Sequence, residues 1–282
     1  MPLSFYKKPA LVVYVTCGDP DLATTRAVVL AAIEAGADVI ELGVPFSDPV
    51  ADGPTIQRAS ERSLCAGTTL PRVLALASRL KQKIQTPLVI FSYYNPILQM
   101  GLERFSREAR AAGVDGVLAT DMIPEESSEY QDSMCANDLD TIFLAAPTST
   151  ASRIEKIAAA TRGFLYLVSR TGVTGTRDAL PVNLSAFVKR VRAATKMPIA
   201  VGFGISQAAH VKALAGVVDA AVVGSALVGR VEAARSGKEA EESVGELVRE
   251  LKGVCGGEFG SVPGEVGDEE RAPKQRQGEN RP

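Results

Sequence analysis

The 282-residue sequence predicts a single α/β domain, a (β/α)8 TIM barrel, over residues 1–252. The first observation is an alternation: from Leu11 to about Ser225, short β-branched apolar segments alternate with longer segments of helical periodicity. This pattern is typical of successive βα units around a parallel sheet. The second observation is the number of units, because eight apolar segments in roughly 215 residues match the eight strands of a closed barrel.

Each predicted strand is short and apolar, and a loop and a helical segment follow it. In chain order the strands are Leu11–Thr16, Asp38–Gly43, Pro87–Tyr93, Gly116–Asp121, Thr141–Ala146, Phe164–Ser169, Pro198–Phe203 and Ala220–Gly224. Three joints repeat one pattern, a glycine that closes a helix just before a strand. These joints are Ala35–Asp38, Ala112–Asp115 and Ala215–Asp219. An open doubly wound sheet is the main alternative, but no Gly-x-Gly-x-x-Gly follows the first strand, so the barrel is favoured.

Two helical segments follow the last predicted strand and end near Lys252. Beyond that point the composition changes to Gly, Pro, Gln and charged residues through Pro282. Such a segment buries too little apolar surface to offset the entropy cost of ordering it, so residues 253–282 are predicted to form a disordered tail. We assign this tail no function.

Charge, hydropathy and cysteine spacing exclude several classes of protein. The 31 basic and 33 acidic residues are intermixed and give a net charge of -2, so no broad basic surface is available for nucleic acid. No run of about 18 apolar residues is present, which excludes a membrane-spanning helix. The four cysteines, at positions 17, 65, 135 and 255, form no CxxC pair. This spacing is typical of reduced thiols in a cytoplasmic protein and indicates no cysteine zinc site.

Glu41 is the first candidate catalytic residue. In a TIM barrel the active site lies at the carboxyl ends of the strands, and Glu41 lies near the end of the second strand between Ile40 and Leu42. Because side chains alternate along a strand, Glu41 points into the barrel if its two neighbours pack under the helices. A charge there is costly to bury without a partner. The alternative is a buried ion pair that holds the barrel together.

Asp52 is the second candidate. It lies in a loop, Pro45–Pro54, that carries two aspartates among three prolines and is therefore stiff and rich in turns. The alternative is a purely structural aspartate that either stabilises a turn or caps the helix beginning near Pro54.

Glycine-bearing loops after the last strands predict a lid and a phosphate site. Arg170–Arg177 combines glycines with hydroxyl side chains, as a mobile lid does, although an ordinary solvated loop has the same composition. The segments Gly202–Ser206 and Gly224–Ala226 each end a strand and open a helix. Backbone amides at such turns bind anions without lysine, and TIM barrels commonly bind phosphate there.

The predicted strand ends lack histidine and lysine, which limits the classes of reaction that the site can catalyse. The only histidine, His210, falls in a predicted helix, which disfavours histidine metal sites and a Ser-His-Asp triad. No lysine ends any of the eight predicted strands, which disfavours a Schiff-base aldolase. Carboxylate acid–base chemistry on a phosphorylated substrate, without an obligatory cofactor or metal, is what these residues favour.

The segment Glu41–Gln57, ELGVPFSDPVADGPTIQ, closely resembles the signature of the tryptophan synthase α subunit family. Supporting segments follow in the order of that family, and the resemblance spans about Leu11 to Arg230. They are Thr16–Pro20, Tyr93–Pro96, Thr171–Gly175, Gly202–Ser206 and Gly224–Ala226.

The resemblance implies cleavage of indole-3-glycerol phosphate to indole and glyceraldehyde 3-phosphate, a retro-aldol reaction without metal or organic cofactor. This reaction needs a proton delivered to the ring carbon and another removed from the adjacent hydroxyl. By motif position, Glu41 resembles that general acid/base. Asp52 would face the indole N–H and favour the positive charge that develops on the ring.

The same residue-by-residue match implies a set of substrate contacts. Thr174 would close over the site and hydrogen-bond to Asp52. The phosphate would be held by Gly175, Gly204, Gly224 and Ser225. The mostly apolar indole slot would be formed by Tyr14, Phe91, Leu118, Leu144, Tyr166, Val168 and Phe203.

The family also implies a partner, a β subunit that binds pyridoxal phosphate, receives indole through a tunnel and joins it to serine. The expected assembly is an α–β–β–α heterotetramer, and the segment Phe46–Pro49 is expected near the interface. The cofactor belongs to that partner. Two departures from the family stand out. Met1–Ala10 is too short for the amphipathic helix that closes the barrel floor in many members, and Tyr14 stands where the usual aromatic residue is often phenylalanine.

Three alternative functions are retained. One is another cofactor-free barrel enzyme, such as an isomerase or an indole-glycerol-phosphate synthase, although the synthase would be expected to carry a strand-end lysine. Another is a catalytically silent subunit that only activates a β partner, against which the presence of both Glu41 and Asp52 argues. The last is a free-standing lyase that releases indole.

Overall fold

The computed structural model describes residues 3, 5, 9–168, 183–202 and 204–255. Within them, nine strand segments form one parallel sheet in the order β5-β4-β3-β2-β1-β9-β8-β7-β6. Every pairing between them is parallel, as the alternating sequence pattern predicts. Their bounds are β1 Ala10–Thr16, β2 Val39–Gly43, β3 Leu88–Ser92, β4 Gly116–Ala119, β5 Asp140–Ile142, β6 Leu144–Ala145, β7 Leu165–Val168, β8 Ile199–Gly202 and β9 Ala220–Val223.

The barrel comes together at the predicted fifth strand, which the structure divides into β5 and β6. Only Phe143 separates the two segments. The first segment pairs with β4 and the second with β7, so the chain changes partner within one strand. The Phe143 carbonyl accepts a hydrogen bond from the Tyr166 N–H at 3.1 Å. The (β/α)8 prediction is therefore confirmed, with one predicted strand in two segments.

Eleven α-helices surround the sheet within the described residues. They are α1 Leu22–Glu34, α2 Pro54–Cys65, α3 Leu70–Lys81, α4 Tyr94–Met100, α5 Leu102–Ala111, α6 Ser128–Ala136, α7 Ala151–Ala160, α8 Leu184–Ala194, α9 Ala208–Leu214, α10 Ser225–Ala233 and α11 Gly237–Lys252. Local sequence explains where several begin: Asp21 accepts the Thr24 N–H at 2.7 Å to cap α1, and α2 starts with proline. No helix in the described part of the chain is long and apolar enough to span a membrane.

The two faces of the strands form two separate apolar cores. Outward residues such as Ile40 and Leu42 pack under the helices. Inward residues such as Val39 and Val89 fill the barrel. This alternation places Glu41 inside the barrel, on the face that the pattern of β2 predicts.

The amino-terminal residues contribute to the barrel floor. Leu3 is 5% exposed, and its N–H donates to Asp140 Oδ2 at 2.6 Å at the start of β5. The ring of Phe5 lies 5.2 Å from that of Phe164. Both side chains join the inward core, so residues before β1 contribute apolar contacts to the barrel floor.

Candidate active site

A cavity at the carboxyl ends of the strands brings the two predicted carboxylates together. Its described wall combines these two acids with aromatic, apolar and glycine residues and contains no cation. The lining residues are Tyr14, Glu41, Asp52, Ile56, Phe91, Tyr166, Gly204, Val222, Gly224 and Ser225. Strands or loops at both the start and the end of the chain contribute, as barrel closure requires.

Glu41 is fully buried on β2. Neither of its carboxyl oxygens has a hydrogen-bond partner among the described residues. The ion-pair alternative therefore finds no support in the described part of the chain. Burial without a partner raises the pKa of Glu41 to about 8, since desolvation disfavours the charged form. At neutral pH this side chain holds a proton.

Asp52 lies in the loop before α2 and is 6% exposed. Its Oδ2 accepts a hydrogen bond from the Tyr93 hydroxyl at 3.1 Å. Burial raises the pKa of Asp52 to about 6, and the hydrogen bond from Tyr93 limits the rise. The helix-cap alternative is wrong, because Gly53 occupies the N-cap of α2 and no side chain caps that helix. Gln57 instead fixes this turn by donating from Nε2 to the Asp52 carbonyl at 2.8 Å.

Two buried tyrosines fill the barrel mouth beside the acids. A methyl group on Gly43 would lie 2.4 Å from the Tyr14 hydroxyl oxygen, and one on Gly202 would lie 2.1 Å from that of Tyr166. Glycine at these strand ends therefore makes room for the phenol rings. Tyr14 also meets the ring of Phe91 edge to face, with centroids 5.0 Å apart. Burial raises the pKa of both phenols, so they are neutral at physiological pH.

The predicted phosphate residues lie on another part of the same wall. Gly204 has a φ of +90°, which favours glycine. Ser225 is the first residue of α10 and Gly224 is its N-cap. The first turn of a helix presents free N–H groups and the positive end of the helix dipole. With no cation in the described lining, these groups are what an anion would meet.

The other predicted substrate residues have different positions. Leu118 and Leu144 belong to the inward core, in register with lining residues Phe91 and Tyr166 on the neighbouring strands. Val168 is half-buried at the end of β7. The remaining three residues lie outside the described part of the chain: Thr174, Gly175 and Phe203.

Three residues of the site were not predicted from the sequence: Ile56, Tyr93 and Val222. Val222 has the inward parity of β9, so strand alternation was a usable signal. Ile56 comes from the first turn of α2. Tyr93 follows β3, and nothing in its local sequence indicates that it bonds to an aspartate 41 residues earlier.

A family model described as "Tryptophan synthase alpha chain" matches residues 3–255. The chain belongs to the tryptophan synthase alpha chain family. Within this family, the alpha chain of Solibacter usitatus is 51% identical over 245 residues, which cover 87% of this chain and 92% of that relative. Members of the family are lyases of tryptophan biosynthesis, and so is this chain.

Solved structures of tryptophan synthase share the fold. A mutant alpha-subunit from the hyperthermophile Pyrococcus furiosus is 37% identical with a TM-score of 0.82, covering 89% of this chain and all of that one. A chain of the tryptophan synthase complex of the same organism is 37% identical with a TM-score of 0.81 and the same coverage. The family resemblance carried by Glu41–Gln57 is confirmed.

Proposed function

We propose that this tryptophan synthase alpha chain cleaves the carbon–carbon bond of indole-3-glycerol phosphate, releasing indole and glyceraldehyde 3-phosphate. The observation that carries the proposal is the pair of buried carboxylic acids in one cavity. Burial raises the pKa of Glu41 to about 8 and that of Asp52 to about 6. At pH 7 one acid therefore holds its proton while the other is ionised, which divides the acid and electrostatic roles between them.

The reaction proceeds in two proton transfers through Glu41. First, the Glu41 carboxyl gives its proton to ring carbon C3, and the positive charge that forms is shared with the ring nitrogen. The Asp52 carboxylate stabilises that charge by accepting the indole N–H. The Glu41 carboxylate then takes the proton of the adjacent hydroxyl as the carbon–carbon bond breaks. The bonding electrons return to the indole ring, the oxygen becomes an aldehyde, and Glu41 regains its proton.

The remaining contacts follow from the wall of the cavity. Amides at Gly175, Gly204 and Gly224 and the hydroxyl of Ser225 are proposed to hold the phosphate, which suits a cavity wall whose described part contains no cation. Rings and apolar side chains are proposed to sandwich the flat indole. The full proposed indole slot is Tyr14, Phe91, Leu118, Leu144, Tyr166, Val168 and Phe203, and Thr174 is proposed to close over the site.

Exposed apolar side chains support a protein partner on the same end of the barrel. Val50, Leu98 and Ile123 are 79%, 53% and 40% exposed. They follow three neighbouring strands, β2, β3 and β4, and Val50 comes directly after the segment Phe46–Pro49. We propose that this surface binds a tryptophan synthase β subunit in an α–β–β–α assembly. The proposed reaction uses no cofactor in this chain, and pyridoxal phosphate belongs to the β subunit.

The direct test is indole release from indole-3-glycerol phosphate by the purified chain, alone and with a β subunit added. We expect slow release alone that rises when the β subunit is added. Fast release by the isolated chain would favour a free-standing lyase. No release in either assay would contradict the proposed reaction and favour the silent-subunit alternative.

The pH dependence of kcat/KM is expected to be bell-shaped, with limbs near pH 6 and pH 8. Below about 6 the Asp52 carboxylate takes up a proton, and above about 8 Glu41 loses the proton that it must donate. The substrate phosphate also titrates near pH 6, so the alkaline limb is the discriminating one. A rate that stays flat to pH 9 while circular dichroism reports an intact fold would contradict the role given to Glu41.

A further inference from the structure

Tyr93 connects the Pro45–Pro54 loop, which carries Asp52, to the end of β3. The residue is 4% exposed and forms the N-cap position of α4. Its hydroxyl donates to Asp52 Oδ2 at 3.1 Å and accepts the Ala51 N–H at 2.9 Å. One phenol oxygen therefore holds both the backbone and the carboxylate of the loop that carries Asp52.

We propose that Tyr93 is a positioning residue for the lyase reaction, whose hydroxyl fixes the orientation of the Asp52 carboxylate and favours its ionised form. The inference rests on the proposed function, since it concerns the acid that faces the indole N–H. A carboxylate presents two oxygens. With Oδ2 engaged by Tyr93, Oδ1 is left for the substrate.

The phenol ring is itself held in place. Phe46, at the other end of the loop, stacks on Tyr93 with ring centroids 5.0 Å apart and an interplanar angle of 30°. The ring thus lies between Phe46 and the Ala51–Asp52 turn. Because it contacts both parts of the loop, its hydroxyl is pre-organised and loses little entropy when it bonds to the carboxylate.

The electrostatic surroundings of Asp52 make its pKa depend on the hydrogen bond from Tyr93. In the described part of the chain, the titratable side chains near Asp52 are Glu41, Tyr14, Tyr166 and Tyr93, which are all neutral at pH 7. Among the described residues, Tyr93 alone donates a hydrogen bond to the Asp52 carboxylate. Burial raises the pKa of Asp52 and the hydroxyl lowers it. Loss of the hydroxyl must therefore move this pKa further up.

The test is Tyr93→Phe, which keeps the ring and its stacking but removes the hydroxyl. We expect kcat/KM at pH 7 to fall about 10- to 100-fold, mostly in kcat, because the lost interaction stabilises charge in the transition state. The acid limb of the pH profile should move up by about one unit. The matched control is Tyr94→Phe, which removes a neighbouring phenol from outside the cavity lining and should leave the rate and both limbs unchanged.

A second readout does not depend on turnover. Carboxyl ¹³C NMR of aspartate-labelled protein, with the Asp52 signal assigned by its absence in Asp52→Asn, should report a higher Asp52 pKa in Tyr93→Phe than in wild type. An active wild type whose Asp52 signal and acid limb are unchanged by Tyr93→Phe would overturn the inference alone, even if that variant melts earlier. An inactive wild type would instead overturn the proposed function, and the role of Tyr93 with it.

Discussion

Glu41→Gln is expected to abolish indole release while making the folded chain more stable. The amide is nearly isosteric with the protonated carboxyl, so the cavity keeps its shape, but it cannot transfer a proton. General acid–base catalysis contributes roughly 10²- to 10⁴-fold, and both proposed transfers use this residue, so we expect a loss of about 10³-fold or more. Binding of indole-3-glycerol phosphate should persist, because the proposed phosphate contacts lie elsewhere in the cavity.

The gain in stability follows from the raised pKa of Glu41. In the unfolded chain the group titrates near 4.5, and in the folded chain near 8. Between these values the unfolded state binds fewer protons, so the free energy of unfolding falls as pH rises. At pH 7 the free energy of unfolding is lower by about 3 kcal/mol, because each pH unit above the unfolded-state pKa costs about 1.4 kcal/mol. A glutamine at this position does not titrate and avoids that loss.

Urea unfolding at pH 5 and pH 8 measures this effect. The difference in unfolding free energy between Glu41→Gln and wild type should be small at pH 5 and largest at pH 8. The same change at Glu61, which is exposed on α2, provides the control and should have little effect at either pH. Equal stability of wild type and Glu41→Gln at pH 8 would mean that Glu41 is solvated or paired in solution.

The barrel and the position of Glu41 were predictable because each depends on local rules. Ile40 and Leu42 flank Glu41, and strand alternation then leaves only the inward face for the carboxylate. The break at Phe143 was not predictable, since it reflects a change of neighbouring strand and leaves no mark in composition. Leu3 and Phe5 form too short a pattern to predict burial, although both pack against the inward core.

The protonation states of Glu41 and Asp52 could not be predicted from the sequence, for a different reason. The signature segment indicates that Glu41 and Asp52 act together, but their pKa values depend on which atoms surround them in three dimensions. Asp52 differs from Glu41 through one hydroxyl, that of Tyr93, and through slightly greater exposure. Asp52 and Tyr93 are 41 residues apart in the sequence, so the sequence does not reveal the hydrogen bond that makes the pKa of Asp52 differ from that of Glu41.

Asp52→Asn is expected to lower kcat about 10²- to 10³-fold with a much smaller change in KM, because the role proposed for the carboxylate is to stabilise charge that develops only in the transition state. The asparagine oxygen can accept from Tyr93 or from the indole N–H, whereas the carboxylate serves both at once. The variant should also be more stable than wild type above pH 6, since burial raises the pKa of Asp52 from 3.8 to about 6.

Steady-state kinetics from pH 5.5 to 9 separate this role from that of Glu41. Asp52→Asn should keep the alkaline limb set by Glu41 and retain only the part of the acid limb that comes from the substrate phosphate. The control is Asp132→Asn on α6, an exposed site where the same substitution removes one charge. A near-wild-type kcat in Asp52→Asn would mean that a hydrogen-bond acceptor suffices at this position and that the negative charge contributes little to the cleavage.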